Sequence, residues 1–166
     1  MFYADTPTTD TEVYIDAPPS RVWGLVTDIQ LIASISTELT SVRWDGDVAG
    51  PALGAKFIGS NFHKAFGAWE TTSIVIDLEQ PRVFAWAVTD VEFPSSVWRF
   101  TLRPERSGTV LNQWVQMGPA RSGLSHAIDR MPDKEERIVA RRLDEFRAGM
   151  TTNLATIKEL SERPEG

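Results

Sequence analysis

The sequence contains no cysteine and only two histidines among its 166 residues. The absence of cysteine excludes disulfide bonds, thiolate metal sites and a cysteine nucleophile. Basic residues are also outnumbered, with 17 Lys and Arg against 23 Asp and Glu, for a net charge of −6. Nucleic acids and anionic membrane surfaces attract cationic proteins, so we expect neither as the main partner of this chain.

Long apolar runs are missing as well. No segment approaches the roughly 18 apolar residues that a helix needs to cross a bilayer, so we expect no integral membrane segment. Residues 1–5 lack the basic and apolar regions of a signal peptide. These features together predict a cytoplasmic location.

The common catalytic signatures are absent too. The sequence has no G-x-S-x-G elbow, no H-E-x-x-H, no P-loop and no G-x-G-x-x-G motif. His126 and Asp129 have the spacing of ligands on one helix face, but two ligands do not make a metal site. We therefore expect no metal and no cofactor.

The order of periodic patterns is what the sequence does offer. A short alternating segment at 12–16 predicts a first strand, and Pro18 and Pro19 then open a helix, as proline does in a first turn. A shorter helical piece follows at 31–35. From Ser41 onward the period is two, which predicts strands at 41–47, 55–62, 69–79, 83–90, 96–103 and 109–117.

The last element is an amphipathic helix of about 28 residues that follows a polar loop or short helix at 121–130. Its apolar stripe consists of Val139, Leu143, Phe146, Met150, Leu154, Ile157 and Leu160. We expect Asp133 to cap this helix and its interleaved Arg and Glu residues, Arg142 and Glu145 among them, to face solvent. Gly149 interrupts the helix-forming sequence, either for close packing or to leave room in a cavity.

Strands followed by a terminal helix indicate the α+β class, with the helix packed on one face of an antiparallel sheet. One helix cannot cover the whole inner face of so many strands. We therefore expect a hollow between the sheet and the final helix.

Several segments resemble one family, the polyketide cyclase/dehydrase group of the START-like (SRPBCC) superfamily, which is related to the birch-pollen allergen. They are IDAPPSRVW at 15–23, GAKFIGSN at 54–61, Trp69, PRVFAW at 81–86, and WRFTLRP at 98–104 followed by Gly108 and Thr109. The resemblance implies a helix-grip fold: a curved seven-stranded antiparallel sheet around the long C-terminal helix, with two short helices after strand 1. It also implies a single ligand-binding domain at 11–162, between a flexible arm at 1–10 and a tail at 163–166.

Side chains expected to face the hollow are the candidate ligand-binding residues. Trp98, Phe100 and Leu102 alternate with Arg99 and Arg103, which places the tryptophan on the inner face. Large flat side chains suit apolar or planar ligands, and a few side-chain amides can orient such ligands by hydrogen bonds. The predicted set is Phe57, Asn61, Trp69, Trp86, Trp98, Gln113, Met117, Phe146, Met150 and Asn153.

Three functions remain open at this point. The leading hypothesis is binding or transport of a hydrophobic small molecule, such as a lipid, a polyketide or an aromatic metabolite. The first alternative is a cyclase or dehydratase that uses His63, Glu70 or Asp90 as its base. The second is a protein-interaction module on the outer sheet face. The sequence leaves open whether the protein is a monomer or a homodimer.

Overall fold

A computed structural model describes residues 1–164 of the chain, so residues 165 and 166 of the expected tail lie outside the described residues. The strands are β1 (Thr8–Ile15), β2 (Leu39–Trp44), β3 (Lys56–His63), β4 (Gly67–Glu79), β5 (Val83–Val88), β6 (Ser96–Glu105) and β7 (Gly108–Met117). The helices are α1 (Pro19–Val26), α2 (Ile29–Ile35), α3 (Gly123–Arg130) and α4 (Glu135–Glu162). None of these helices combines the length and the apolar character needed to cross a membrane.

The seven strands form one antiparallel sheet in the order β1-β7-β6-β5-β4-β3-β2. Strand β1 therefore lies beside the last strand, and the remaining strands follow as a meander of hairpins. Helix α4 packs along β1 and against α1. This is the α+β helix-grip architecture that the resemblance implied, and the fold prediction is confirmed.

Local sequence explains where the short helices begin. Pro19 occupies the first turn of α1, where its missing N–H is not needed. The carboxylate of Asp28 caps α2 by accepting hydrogen bonds from the backbone N–H groups of Gln30 and Leu31. The two helices therefore follow β1 in immediate succession, with α2 packed against β2 and α1 packed against α4 and β6.

The start of β1 and the cap of α4 differ from the predictions. Strand β1 begins at Thr8 rather than at residue 12, so Thr8–Asp10 of the expected arm pair with β7, and residues 3–5 form a 3₁₀ turn. Asp133 does not cap α4, because residues 132–134 form a second 3₁₀ turn and Lys134 occupies the capping position without a side-chain hydrogen bond. At β1 the strand itself begins earlier than predicted, and at α4 a short turn precedes the helix; periodicity indicated neither.

The apolar core is divided into two clusters. The larger one joins α1, α2 and the C-terminal half of α4 to the sheet, and it includes the fully buried Val22, Phe100, Leu154 and Ile157. The smaller one joins α3 and the N-terminal half of α4 through Met117, Leu124 and Val139. The candidate site borders both clusters.

Candidate functional site

A cavity of about 490 Å³ lies between the inner face of the sheet and α4. Strands β3 to β7 supply its wall, and α3, α4 and the connection between α2 and β2 enclose the rest. Its volume lies within the range of pockets that bind small molecules.

All ten residues of the predicted set lie on the lining of this cavity. They are Phe57, Asn61, Trp69, Trp86, Trp98, Gln113, Met117, Phe146, Met150 and Asn153. The sheet register explains the placement, since Trp86 pairs with Trp98 and Phe100 with Gln113, so that these side chains share the inner face. That any of them contacts a ligand stays a prediction.

Aromatic rings make up much of the wall and pack edge to face. The ring centroids of Trp98 and Phe146 are 5.1 Å apart at 75°, and those of Phe57 and Trp86 are 5.7 Å apart at 66°. The ring centroids of Phe66 and Trp69 are 6.2 Å apart, and the two ring planes are at 86°. Such contacts hold the rings in fixed orientations and leave flat apolar surface toward the cavity.

The other three tryptophans lie elsewhere. Trp23 is buried in the larger core cluster. Trp44 lies outside the lining, and its ring packs edge to face with that of Phe57, with the ring centroids 5.5 Å apart. Trp114 is on the outer face of the sheet, where the guanidinium of Arg99 lies 4.3 Å from its ring centroid. Three of the six tryptophans therefore face the cavity and three serve packing.

Most polar groups of the lining are uncharged. Asn61 donates to the hydroxyl of Thr71 at 3.2 Å and to the carbonyl of Gly59 at 3.3 Å. Gln113 is only 3% exposed, and its Oε1 has no hydrogen-bond partner among residues 1–164. A buried carbonyl without a hydrogen-bond partner lowers the stability of the folded state by about 1–3 kcal/mol. Gln113 is therefore an unsatisfied polar group in an apolar wall.

Four charged or titratable side chains meet at one edge of the cavity, and we call them the Arg142 cluster: Glu38, His63, Arg142 and Glu145. Arg142 Nη1 lies 2.9 Å from Glu38 Oε1 and 3.0 Å from Glu145 Oε2. His63 Nε2 lies 2.7 Å from the same Glu145 oxygen. The cluster therefore connects the α2–β2 connection, the β3–β4 hairpin and α4.

Aromatic packing holds the arginine in place. Its Cζ lies 4.4 Å from the ring centroid of Phe146 and 5.2 Å from that of Phe66, which is within cation–π range. Arg142 is 8% exposed. The expectation that this side chain belongs to a solvated helix face was wrong, because its position between Val139 and Phe146 turns it inward.

The backbone fixes the tautomer of His63. The N–H of Ala65 donates to His63 Nδ1 at 3.0 Å, so Nδ1 carries the lone pair and the ring proton is on Nε2. Nε2–H then donates to Glu145 Oε2. The imidazole acts as a hydrogen-bond donor to the carboxylate and has no free lone pair to act as a base.

Opposing effects set the pKa of Glu145. Burial alone raises the pKa of its carboxyl, but the hydrogen bond from His63 and the charge of Arg142 outweigh burial and hold the pKa below its ordinary value. Glu145 is therefore ionised at neutral pH. It is a carboxylate that lines the cavity.

The three bases proposed from the sequence do not lie on the lining. His63 stands behind Glu145, and the partner expected for it, Glu70, is exposed on the other side of the sheet. Asp90 is exposed and accepts hydrogen bonds from the backbone of Glu92 and Phe93 in a turn. Those base assignments were wrong, because alternation along β4 turns Glu70 away from Trp69.

Metal-ligand geometry can also be tested at the Arg142 cluster. One ligand atom each from Glu38, His63 and Glu145 lies within 4.8 Å of the others. The Arg142 guanidinium, however, already occupies the space between the two carboxylates, so a cation would have to displace it. Of the pair considered from sequence, His126 lines the cavity, whereas Asp129 pairs with Arg121.

Gly149 lines the cavity, and a Cβ added there would meet no atom within 4 Å. Close packing therefore does not explain this glycine. Tyr3 is a further lining residue that sequence reasoning missed, and its hydroxyl donates to the carbonyl of Ala120 at 2.7 Å. Nothing in the local pattern of the N-terminal residues indicates that contact.

Comparison with solved structures finds the same architecture in proteins of varied origin. A polyketide-cyclase-like protein of Corynebacterium glutamicum, solved by NMR, is 33% identical over 92% of this chain and 90% of its own, with a TM-score of 0.64. One di-domain ARO/CYC protein of the steffimycin biosynthetic pathway matches at 14% identity and a TM-score of 0.69. That match covers 93% of this chain and 50% of the di-domain protein. The crystal structure of Ara h 8.0201 matches at 8% identity and a TM-score of 0.57, over 91% of this chain and 97% of its own.

A search of curated proteins returned no match. The family model described as polyketide cyclase/dehydrase and lipid transport matches residues 6–155, which is most of the sequence. This match covers β1 through most of α4, and therefore every lining residue of the cavity except Tyr3. The chain belongs to the polyketide cyclase/dehydrase and lipid transport family.

Proposed function

We propose that this protein binds a hydrophobic small molecule in the cavity between the sheet and α4. The observation that carries the proposal is the make-up of the wall. Three tryptophans (Trp69, Trp86 and Trp98) and three phenylalanines surround a space of about 490 Å³. Filling such a space with apolar atoms removes aromatic surface from water, which is the main favourable term in binding of this kind.

Membership of the family supports the proposal, since its description includes lipid transport. The position of Gly149 supports it further. A glycine inside a helix costs about 1 kcal/mol relative to alanine, and here the missing side chain enlarges the cavity instead of admitting a neighbour.

A substitution that fills the cavity tests the proposal directly. We expect Gly149→Phe to place a ring in the space that the ligand needs, and Ala148→Phe, one residue away on the exposed face of α4, to leave that space open. Both variants and the wild type are titrated with apolar fluorophores, fatty alcohols and polyaromatic compounds. Tryptophan quenching reports binding, and native mass spectrometry of freshly purified protein reports any retained ligand.

The expected result is saturable quenching in the wild type and in Ala148→Phe, and its loss in Gly149→Phe with an unchanged circular dichroism spectrum. The proposal is rejected if no apolar compound quenches the wild type. It is also rejected if Gly149→Phe binds as tightly as Ala148→Phe, because binding would then take place elsewhere.

A cyclase is the second candidate function, and one observation favours it. Glu145 is an ionised carboxylate on the lining, and the Nε2–H of His63 orients it. A carboxylate so placed can remove a proton from a carbon between two carbonyls, although its lowered pKa makes it a weak base. We expect Glu145→Gln to abolish cyclisation of a poly-β-ketone analogue while the analogue still binds. An unchanged rate in that variant rejects this role.

A further inference from the structure

The charges on the lining are unevenly matched. Among the lining residues within the described part of the chain, Arg142 is the one permanent cation, and Glu38 and Glu145 are the two carboxylates. Both carboxylates lie within 3.0 Å of the same Arg142 nitrogen. Arg142, Glu38 and Glu145 together therefore carry one net negative charge.

Within residues 1–164 the lining therefore offers no further permanent cation to an acidic ligand, and the imidazole of His126, which also borders the cavity, is exposed to water. The guanidinium is already shared between two carboxylates and stacked on Phe66 and Phe146. Arg141 approaches Glu145 Oε1 at 3.7 Å, but its side chain is 79% exposed and water screens its charge. A ligand carboxylate would enter an apolar space beside a net negative charge, and both desolvation and repulsion oppose that.

A different requirement comes from Gln113. Its side chain is 3% exposed, its Oε1 is unpartnered within residues 1–164, and it lies opposite Phe100 in the sheet register. Rotation of the side-chain amide by half a turn exchanges its oxygen and its nitrogen, so either atom can occupy this position. A hydroxyl group both donates and accepts, so it satisfies the amide in either orientation.

Other lining groups are consistent with a neutral partner. Asn153, Ser73 and Ser96 also line the cavity, and each offers an uncharged amide or hydroxyl. Ser96 accepts a hydrogen bond from the indole N–H of Trp98 at 3.1 Å, so that N–H is already engaged. The polar points of the wall therefore suit a ligand with hydroxyl groups and offer little to an anion.

We infer that the cavity selects an uncharged, hydroxyl-bearing apolar molecule, an alcohol or a phenol, and discriminates against the matching carboxylate. The inference rests on the proposed function and narrows it. Gln113 supplies the preference for a hydroxyl group, and the Arg142 cluster supplies the discrimination against a negative charge. Aliphatic and aromatic scaffolds share this chemistry, and the test includes both.

Calorimetric titration at pH 7 with matched compounds measures both preferences. The aromatic series is naphthol, naphthoate and naphthalene, and the aliphatic series is dodecanol, dodecanoate and dodecane. We expect the hydroxyl compound of at least one series to bind about tenfold or more tightly than both its carboxylate and its hydrocarbon counterpart. The series that shows the larger preference identifies the scaffold.

Two variants assign each preference to its residues. We expect Gln113→Leu to bind naphthalene as tightly as naphthol, while Gln116→Leu, an amide of the same strand outside the lining, keeps the wild-type ratio. We expect the double variant Glu38→Gln with Glu145→Gln to bind naphthoate more tightly than the wild type does. Circular dichroism verifies folding, and Gln113→Met replaces Gln113→Leu if the latter does not fold.

The outcomes separate the two levels of the argument. Carboxylates that bind as tightly as alcohols overturn this inference but leave the proposed function standing. A hydroxyl preference that persists in the Gln113 variant overturns the role of that residue. If no compound of either series binds and Gly149→Phe behaves as the wild type, the proposed function itself fails.

Discussion

The two halves of α4 have the same apolar periodicity but different surroundings. The C-terminal half places Leu154 and Ile157 in the larger core cluster, where they are 1% and 0% exposed. The N-terminal half presents Arg142, Glu145 and Phe146 to the cavity, and Gly149, Met150 and Asn153 continue this lining into the first turns of the C-terminal half. A repeat of three and four residues therefore determines which face of a helix turns inward. The size and polarity of the residues on that face determine whether the inner space is filled.

One end of α4 thus packs in the apolar core, and the other end borders the cavity. At the C-terminal end, side chains from α1, α4 and the sheet meet in a buried apolar core. At the other end, an ion cluster and a few aromatic contacts hold α4 over an open volume. Each prediction below changes one half and compares it with the other or with a matched control.

The largest difference is expected when a large side chain is truncated in each half. Leu154→Ala leaves a cavity in the core, and we expect it to lower the free energy of unfolding by about 3 kcal/mol. Phe146→Ala removes a half-buried ring whose inner side already borders empty space, so we expect a loss of about 1–2 kcal/mol. Urea unfolding followed by circular dichroism measures both. Equal losses would mean that the two halves are packed alike.

The Arg142 cluster comes next. Arg142→Met keeps the length of the side chain but removes the charge that two partly buried carboxylates share. We expect a loss of about 1–3 kcal/mol at pH 7, because Glu38 and Glu145 then repel each other without compensation. The control is Arg141→Met, at a side chain that is 79% exposed, for which we expect a change within about 0.5 kcal/mol. A similar effect in both variants would show that the buried position has no special role.

A smaller effect with a defined pH dependence is expected at Glu145. Its pKa is lowered in the folded state, so its contribution is fully present above the ordinary carboxyl value of 4.5 and is lost as the pH falls toward the lower folded value. We therefore expect the wild type to have a higher free energy of unfolding than Glu145→Gln at pH 7. This difference between wild type and variant, the gap, should disappear as the pH falls below 4.5. Urea unfolding at a series of pH values measures the gap.

Glu162, near the other end of α4, provides the comparison. Its pKa is also lowered, by the hydrogen bonds from Lys158 and from the backbone of Asp16. The difference in free energy of unfolding for Glu162→Gln should disappear over the same pH range. Added salt should reduce it more than the difference for Glu145→Gln, because Lys158, the cation beside Glu162, is 36% exposed, whereas Arg142, the cation beside Glu145, is 9% exposed. If salt reduces the difference for Glu145→Gln equally, the burial of Arg142 does not protect its ion pair from screening.

The smallest expected effect is a gain in stability. Gly149→Ala adds a methyl group that meets no atom within 4 Å and removes the cost of glycine in a helix. We expect a stabilisation of about 0.5–1 kcal/mol, measured as a higher midpoint in urea or heat. Gly24→Ala, in α1 and also free of close neighbours, should show a similar gain. A loss of stability at Gly149 alone would show that this part of α4 is packed more tightly than its contacts indicate.

Much of the site was accessible from the sequence because its residues follow simple periods. Alternation along β5 and β6 turned Trp86 and Trp98 to one face, and the helical spacing of Phe146, Met150 and Asn153 turned them to another. Register and twist then bring these faces together without further information. For this reason all ten predicted residues reached the lining.

The Arg142 cluster was not accessible in this way. Its members come from three separate segments, and charged residues occur on every side of the first turns of α4. One signal was present: Arg142 follows Val139 by three residues and precedes Phe146 by four, which is the spacing of the apolar stripe. The partners of this arginine, however, depend on where the α2–β2 connection and the β3–β4 hairpin end in space.

The amino-acid sequence alone determined most of the secondary structure and the inward faces of strands and helix, because these depend on short-range periodicity and on burial of apolar side chains. The helix-grip arrangement was implied by the resemblance to a known family. Tertiary structure alone decided that Arg142 is paired on both sides, that His63 donates to Glu145 and not to Glu70, and that Gln113 Oε1 has no hydrogen-bond partner among residues 1–164. Hydrogen bonds and ion pairs act over a few ångströms between residues far apart in the chain. Their geometry exists only once the long helix lies in place against the sheet.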